Sequence, residues 1–267
     1  MLSLSACTGV FFQPQHIQYL TPDKISLAYE DVYFRNTDGL MLHGWWLPAK
    51  GKAKGTVLFF HGNAENISTH IVNVHWLPAQ NYNVFLPDYR GYGRSEGVPT
   101  LVGAQDDIDS AMAYLLKRSD IDTERIVILA QSLGGALSIY NVAHSPYRSK
   151  IKALISESAF SDYRLITREK LASFWLTWPL QWPLSYTIDN DYSPLPEVSK
   201  ISPIPLLIIH GDKDKVVPLS HGQALFAAAA QPKEMWVVAE GGHIEALRHK
   251  KYQELLLEYL DRVLPEK

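Results

Sequence analysis

The sequence predicts an α/β protein built on a mostly parallel sheet with helices on both faces. Three observations carry that reading. Short, continuous apolar runs rich in β-branched residues recur along the chain, as strands buried on both faces do. Stretches of helical spacing separate them, and repeated strand–helix units imply parallel strands joined by crossovers. At residues 125–138, an apolar run passes through Ser132 directly into a small-residue segment suited to a helix packed on a sheet.

Taken in order, residues 31–37 and 40–48 read as two strands joined at Asp38-Gly39, a hairpin turn signal. Residues 56–61 form a continuous apolar strand, followed by His61-Gly62-Asn63-Ala64-Glu65-Asn66 and a helical stretch reaching about residue 77. Asn66 or Glu65 is suited to cap that helix. Residues 83–88 are the next strand. A helix over about 102–117 places Ile108, Ala111, Met112 and Leu115 on one face. The segment around Ser132 follows, then a strand at 151–157. Residues 160–203 break the alternation with Phe174, Trp175, Trp178, Trp182, Tyr186 and Tyr192, punctuated by prolines. Alternation resumes with a strand at 205–210, a helix around 223–230, a strand at 235–238 and an amphipathic helix from about 245 to 264.

Composition narrows the function classes. The chain has 267 residues, 46% of them apolar, enough for one large α/β domain. A formal net charge of −3 gives no electrostatic case for nucleic acid. One cysteine excludes an internal disulfide framework and a cysteine metal cluster. No apolar run reaches the length of a transmembrane helix.

Ser132 sits where a strand turns sharply into a helix, which lifts its side chain above the sheet edge. Such a turn needs small residues two before and two after the serine. Ala130 and Gly134 stand there, with Gly135 behind. This is the G-x-S-x-G nucleophile elbow with alanine in the first glycine position. Gly93-Arg-Ser95-Glu-Gly97 matches the same motif letter for letter. Its setting is a polar, Gly-rich loop with Pro99 before any helix, so Ser132 is the expected nucleophile. A serine is a poor nucleophile without an adjacent base that a third group orients. His243, after Gly241-Gly242 and a strand, is placed to be that base, whereas His61 and His210 end buried strands and read as structural. The third group lies between serine and histidine in the chain, and Asp214, Asp212 and Glu157 all follow strands there. An oxyanion hole needs two backbone donors. The Leu133 N–H follows the nucleophile, and Asn63 on the loop after residues 56–61 is the better source of the second.

His61-Gly-Asn-Ala64, Asp88-Tyr-Arg-Gly-Tyr-Gly-Arg-Ser95, Ala130-Gln-Ser-Leu-Gly-Gly135, Gly211-Asp-Lys-Asp214 and Gly242-His243 occur in α/β-hydrolase order. From about residue 40 to the C-terminus the chain resembles a serine hydrolase of the esterase, lipase and aminopeptidase type. The resemblance implies an α/β-hydrolase fold with a short helical cap at about 160–203. It implies Asp214 as the acid, because this aspartate matches the family's G-x-x-D-x-x-V-P pattern, and a structural role for the loop 88–95. The departure is Ala130, which is also small. The cap tryptophans are expected either to line an apolar acyl pocket or to form the cap's own core.

The expected activity is hydrolysis of carboxylic esters or thioesters through an acyl-enzyme on Ser132, acting on a small apolar acyl substrate with neither cofactor nor metal required. Peptidase or amidase action is the alternative within the enzyme class. From another class comes a non-catalytic binding lipoprotein on a hydrolase fold. Residues 1–29 read as an N-terminal tether ahead of a domain spanning 30–267. Leu4-Ser5-Ala6-Cys7 resembles the lipobox of bacterial lipoproteins, which makes Cys7 a candidate lipidation site and the cell envelope the expected location, with the cytoplasm as the alternative. A lipoprotein signal also needs a basic and a longer apolar stretch than six residues supply, so this reading expects a longer leader.

Overall fold

A computed structural model describes residues 11–265. Cys7 and the lipobox-like motif lie outside the described residues. In chain order the regular elements begin with β1 (Gln13–Pro14), β2 (Glu30–Arg35), β3 (Met41–Leu47), β4 (Gly55–Phe60), β5 (Ala64–Glu65), α1 (Ile67–His70), β6 (Tyr82–Pro87) and α2 (Leu101–Leu115). Next come β7 (Ile126–Gln131), α3 (Leu133–His144), β8 (Ile151–Glu157), α4 (Tyr163–Ala172) and α5 (Gln181–Tyr186). The chain closes with β9 (Leu206–Gly211), α6 (Leu219–Ala228), β10 (Lys233–Val238) and α7 (Lys250–Val263).

Eight strands form one sheet in the order β10-β9-β8-β7-β4-β6-β3-β2. The pairings from β10 to β6 are parallel, and the edge formed by β3 and β2 is antiparallel. This is the α/β-hydrolase fold. The apolar runs have the pattern of strands covered on both faces. In β4, Leu58 and Phe60 join one core while Val57 and Phe59 join the other. β7 divides the same way, with Ile128 and Ala130 on one face and Val127 and Leu129 on the other. One core packs against α2, α3 and α6, and the second against α1 and α7. Period-two alternation inside a continuous apolar run is what a strand between two helical layers requires.

Three segments differ from the sequence expectation. The expected tether is, from residue 11 onward, laid against the domain. β1 pairs with β5, Phe12 is buried, and the Asn66 amide donates to the carbonyls of Gln15 and Ile17. The stretch after residue 66 forms one α-turn and two 3₁₀ turns instead of a single helix. Asn66 caps the α-turn, accepting the Ser68 N–H at 2.9 Å. Beyond the α-turn, ring nitrogens lie against carbonyls that a continuing helix would use. Trp76 Nε1 donates to the Asn73 oxygen, and His75 Nδ1 lies 3.0 Å from the Val72 oxygen. The C-terminal helix starts at Lys250, after a 3₁₀ turn at Ala246–Arg248. There the Ala246 N–H is taken by the Glu157 carboxylate, which holds the turn out of the helix.

Candidate active site

β7 ends at Gln131, and the chain turns into α3 through Ser132, whose backbone sits at φ 52° and ψ −117°. A non-glycine residue at positive φ is strained and persists only where its surroundings hold it. Here the Ser132 N–H donates to the Glu157 carbonyl at 2.8 Å, and the Ser132 carbonyl accepts the Ala136 N–H. The elbow also needs Gly134. A Cβ there would stand 2.5 Å from the His61 carbonyl oxygen and 2.6 Å from that of Phe60. Ala130 is wholly buried between neighbouring strands, so its extra methyl is accommodated as core.

β9 and β10 bring up the other two groups. The loop after β10 carries His243 back over the end of β9. Gly211 closes β9 where a Cβ would meet the carbonyl oxygens of Gly241 and Gly242. His243 Nε2 lies 2.9 Å from Ser132 Oγ, and His243 Nδ1 lies 2.8 Å from Asp214 Oδ2. With the proton on Nδ1, the ring donates to Asp214 and turns its free lone pair toward the serine hydroxyl. Asp214 Oδ1 accepts the N–H groups of Val216 and Val217, each at 2.8 Å, which fixes the carboxylate plane. Burial works to raise the Asp214 pKa. The His243 contact and the two amides outweigh it and hold the carboxyl below the ordinary range.

The structure therefore brings Ser132, His243 and Asp214 into one hydrogen-bonded chain. Asp212 is exposed, and its backbone N–H is bonded to the Val238 oxygen. Glu157 points elsewhere. Its two carboxylate oxygens accept from Gln131 Nε2 at 2.6 Å and from the Ala246 N–H at 2.8 Å. Ser95 is buried in the loop after β6. Its hydroxyl donates to the Asp88 carbonyl and accepts the His43 N–H, both at 2.9 Å. His61 Nδ1 lies against the Gly62 oxygen, and His210 Nε2 against the Val217 oxygen.

Leu133 opens α3, so its N–H lacks an intrahelical partner. Asn63, on the loop after β4, lines one cavity with Ser132 and Leu133. That loop is pinned from two sides. The Tyr92 hydroxyl donates to the Asn63 carbonyl at 2.7 Å, and the Gln13 N–H donates to the Asn63 side chain at 2.8 Å. Behind it lies Asp88. Burial pushes its pKa up, but the nearby His43 and His61 rings and the hydrogen bond from the Ile67 N–H prevail and leave it lowered.

Beside Ser132 and Leu133 opens a cavity of about 360 Å³. Its apolar wall comes from Phe160, from Ile166 and Leu171 of α4, and from Val216 and Val217. Phe11 and Gln13 complete it, and these the sequence reading missed. The adjacent apolar pair Phe11-Phe12 was the available signal. Among the described residues of this lining Lys170 is the one that is charged, and its ammonium donates to the Lys215 carbonyl at 3.0 Å.

Residues 160–203 supply α4, α5 and short 3₁₀ turns beside the cavity. The expectation for their tryptophans fails in both forms. Trp175, Trp178 and Trp182 are 78%, 59% and 52% exposed, so they are not a core, and none lines the cavity. Trp182 stacks beneath the Arg168 guanidinium at 3.8 Å.

Residues 51–192 match a family model described as serine aminopeptidase, S33. The chain is 37% identical to "Uncharacterized protein YfhR" of Escherichia coli (strain K12) over 86% of its own length and 80% of the relative's. It is 31% identical to "Alpha/beta hydrolase domain-containing protein WAV2" of Arabidopsis thaliana, covering 93% of this chain and 83% of that one. Among solved structures, a Pyrococcus furiosus esterase superposes with a TM-score of 0.77 at 20% identity, covering 95% of this chain and 97% of the esterase. The acylaminoacyl peptidase of Pyrococcus horikoshii gives 0.70 at 22% identity, covering 90% of this chain and 42% of the peptidase. At those identities the two structures speak to fold alone.

Proposed function

Because the chain belongs to the serine aminopeptidase, S33, family of α/β hydrolases, we propose that it cleaves carboxylic esters or thioesters through an acyl-enzyme on Ser132. The observation that carries this reading is the chain Ser132 Oγ, His243, Asp214 at the rim of an apolar cavity.

His243 Nε2 takes the Ser132 proton as Oγ attacks the acyl carbon. Asp214 keeps the ring in the productive tautomer and stabilises the imidazolium that forms. The tetrahedral oxyanion is held by the N–H groups of Leu133 and Asn63 at the start of α3. His243 then protonates the leaving alkoxide or thiolate. Water, deprotonated by the same ring, releases the acyl group.

The cavity favours an acyl group over the free amino terminus of a peptide. The described residues of its lining include no carboxylate to pair with an ammonium, and Lys170 would repel one. Aminopeptidase or amidase action is the second reading, favoured by the family's description. A fluorophosphonate probe should label wild type and spare Ser132→Ala. p-Nitrophenyl esters of increasing chain length should be turned over faster than aminoacyl p-nitroanilides. Absence of labelling returns the chain to a non-catalytic binding role. The envelope location proposed from Leu4-Ser5-Ala6-Cys7 is tested by fractionating cells expressing the full upstream reading frame as wild type and as Cys7→Ser. Both proteins in the soluble fraction would end it.

A further inference from the structure

From Leu171 to Ile188 the chain carries no charged residue, yet most of it lies on the surface. Phe174, Trp175, Leu176, Trp178, Trp182 and Tyr186 are each more than half exposed. A soluble surface does not ordinarily gather large apolar side chains this way, and such a patch marks a contact made elsewhere. Tryptophan and tyrosine are the residues suited to a boundary that is apolar on one side and wet on the other.

We propose that this face of the cap, the end of α4 through α5, docks on a phospholipid membrane surface with the mouth of the cavity turned toward the lipid. Three placements favour lipid over other occupants. The patch continues the cavity wall along the chain. Leu171, near the end of α4, lines the cavity together with the half-exposed Val216. Phe11 lines the same cavity and packs on Phe160 and Tyr163, so another wall of the cavity is apolar as well. Basic side chains border the patch on its α4 side, while Asp189 and Asp191 follow its other end. The acids of α4 are engaged with the protein, Glu169 with His221 and Asp162 with the Leu165 N–H and Asn190. Lys170 is exposed at the rim, and Arg168 lies on Trp182. Cations beside interfacial aromatics suit anionic headgroups. Among the described residues no helix is long and apolar enough to span a bilayer, so the contact is interfacial.

The test uses the full chain as Cys7→Ser, so that no acyl chain contributes, with vesicles of phosphatidylcholine alone and of phosphatidylcholine mixed with phosphatidylglycerol. The protein should co-sediment with vesicles, more strongly with the mixed ones, and its tryptophan emission should move to the blue and be quenched by brominated acyl chains. Trp175→Ser combined with Trp178→Ser should lower vesicle partitioning by about tenfold or more while keeping its melting transition and its fluorophosphonate labelling. Ser132→Ala should bind vesicles as its parent does, because docking needs no turnover; failure of the hydrolase reading and failure of this one are thereby separable. The proposal is overturned if the parent stays in the supernatant with both vesicle types, or if the tryptophan variant binds equally well. A parent that ignores vesicles but forms a dimer lost in the tryptophan variant overturns it too, and assigns the face to a second copy of the chain.

Discussion

Glu157 and Ala246 are joined by a 2.8 Å hydrogen bond between the end of β8 and the turn that follows His243. The bond ends a relay that runs inward from the exposed Arg248. Arg248 Nε donates to Asn73 Oδ1, Asn73 Nδ2 to Gln131 Oε1, and Gln131 Nε2 to Glu157 Oε2. Arginine can only donate, so the orientation of both amides is dictated, and Glu157 receives a donor on each oxygen. The relay ties the residue before Ser132 to the turn after His243, and so fixes the Ser132 and His243 side chains relative to each other.

Glu157→Gln should break this arrangement despite its matching shape. Its amide must turn an N–H against either Gln131 Nε2 or the Ala246 N–H. We expect a stability loss of about 1–3 kcal/mol. A displaced His243 should lower kcat on the order of tenfold to a hundredfold with little change in KM. Burial also raises the Glu157 pKa, and the bonds from Gln131 and Ala246 only partly offset it. A raised folded value gives stability that is complete below the unfolded carboxylate value and is lost as pH rises through the folded one. The gap between variant and wild type should therefore narrow on going from acid to neutral pH in urea titrations. A gap that widens instead would contradict this assignment.

Ser132→Ala should lower kcat on the order of 10⁶, the loss expected when the nucleophile of such a constellation is removed. Ser95→Ala should leave turnover within a few-fold of wild type and cost about 1–3 kcal/mol, because it abandons the His43 N–H and the Asp88 carbonyl. Initial rates and thermal melts of the pair decide between the two serines, and the reverse pattern would move the nucleophile to the loop.

Asp214 supplies the pH test. Its carboxyl is held below the ordinary range, so its contribution to stability is present above the unfolded carboxylate value and disappears as pH falls through the lower folded one. Asp214 thus stays ionised while kcat/KM falls on acidification. That fall should follow a single proton, with a limiting slope of one; a slope of two would show Asp214 titrating over the same range. Asp214→Asn should cost on the order of 10⁴ in kcat.

Gly211 shows which parts of the site the sequence made legible. The strand–turn–helix context distinguished Ser132 from the literal motif at Ser95, since buried β-branched runs leave a periodic trace. His243 was placed by its position after a strand, and Asp214 by the family pattern around it. What the sequence could not reveal is contact between segments far apart in the chain. Nothing near Gly211 announces that the carbonyls of Gly241 and Gly242 press on it, and nothing near Glu157 announces Ala246. The exposure of Trp175 and Trp178 was hidden for the same reason, because an aromatic, proline-broken stretch has no period from which to read its buried side.

Gly211→Ala is the corresponding test of the His243 loop. The new Cβ would strike the Gly241 oxygen and stand 2.5 Å from the Gly242 oxygen, and backbone has no rotamer with which to yield. The loop must lift, drawing His243 away from Ser132. Turnover should drop on the order of a hundredfold. Fluorophosphonate labelling should slow in parallel, and the melting temperature should fall only modestly, because the rest of β9 still pairs with β8 and β10.

The cavity wall makes the last prediction. Phe11 closes one side, its ring 4.9 Å from Tyr163 edge-on and 6.0 Å from Phe160. It is only partly buried, so its loss opens space connected to solvent instead of a sealed void. Phe11→Ala should shift the optimum of a p-nitrophenyl ester series toward longer acyl chains, mainly through KM. Leu171→Phe, on the opposite helix, should shift it toward shorter ones. Trp178→Ala should leave the optimum in place, because that side chain faces solvent and does not line the cavity. A change of chain-length preference in Trp178→Ala without one in Phe11→Ala would relocate the acyl pocket to the outer face of the cap.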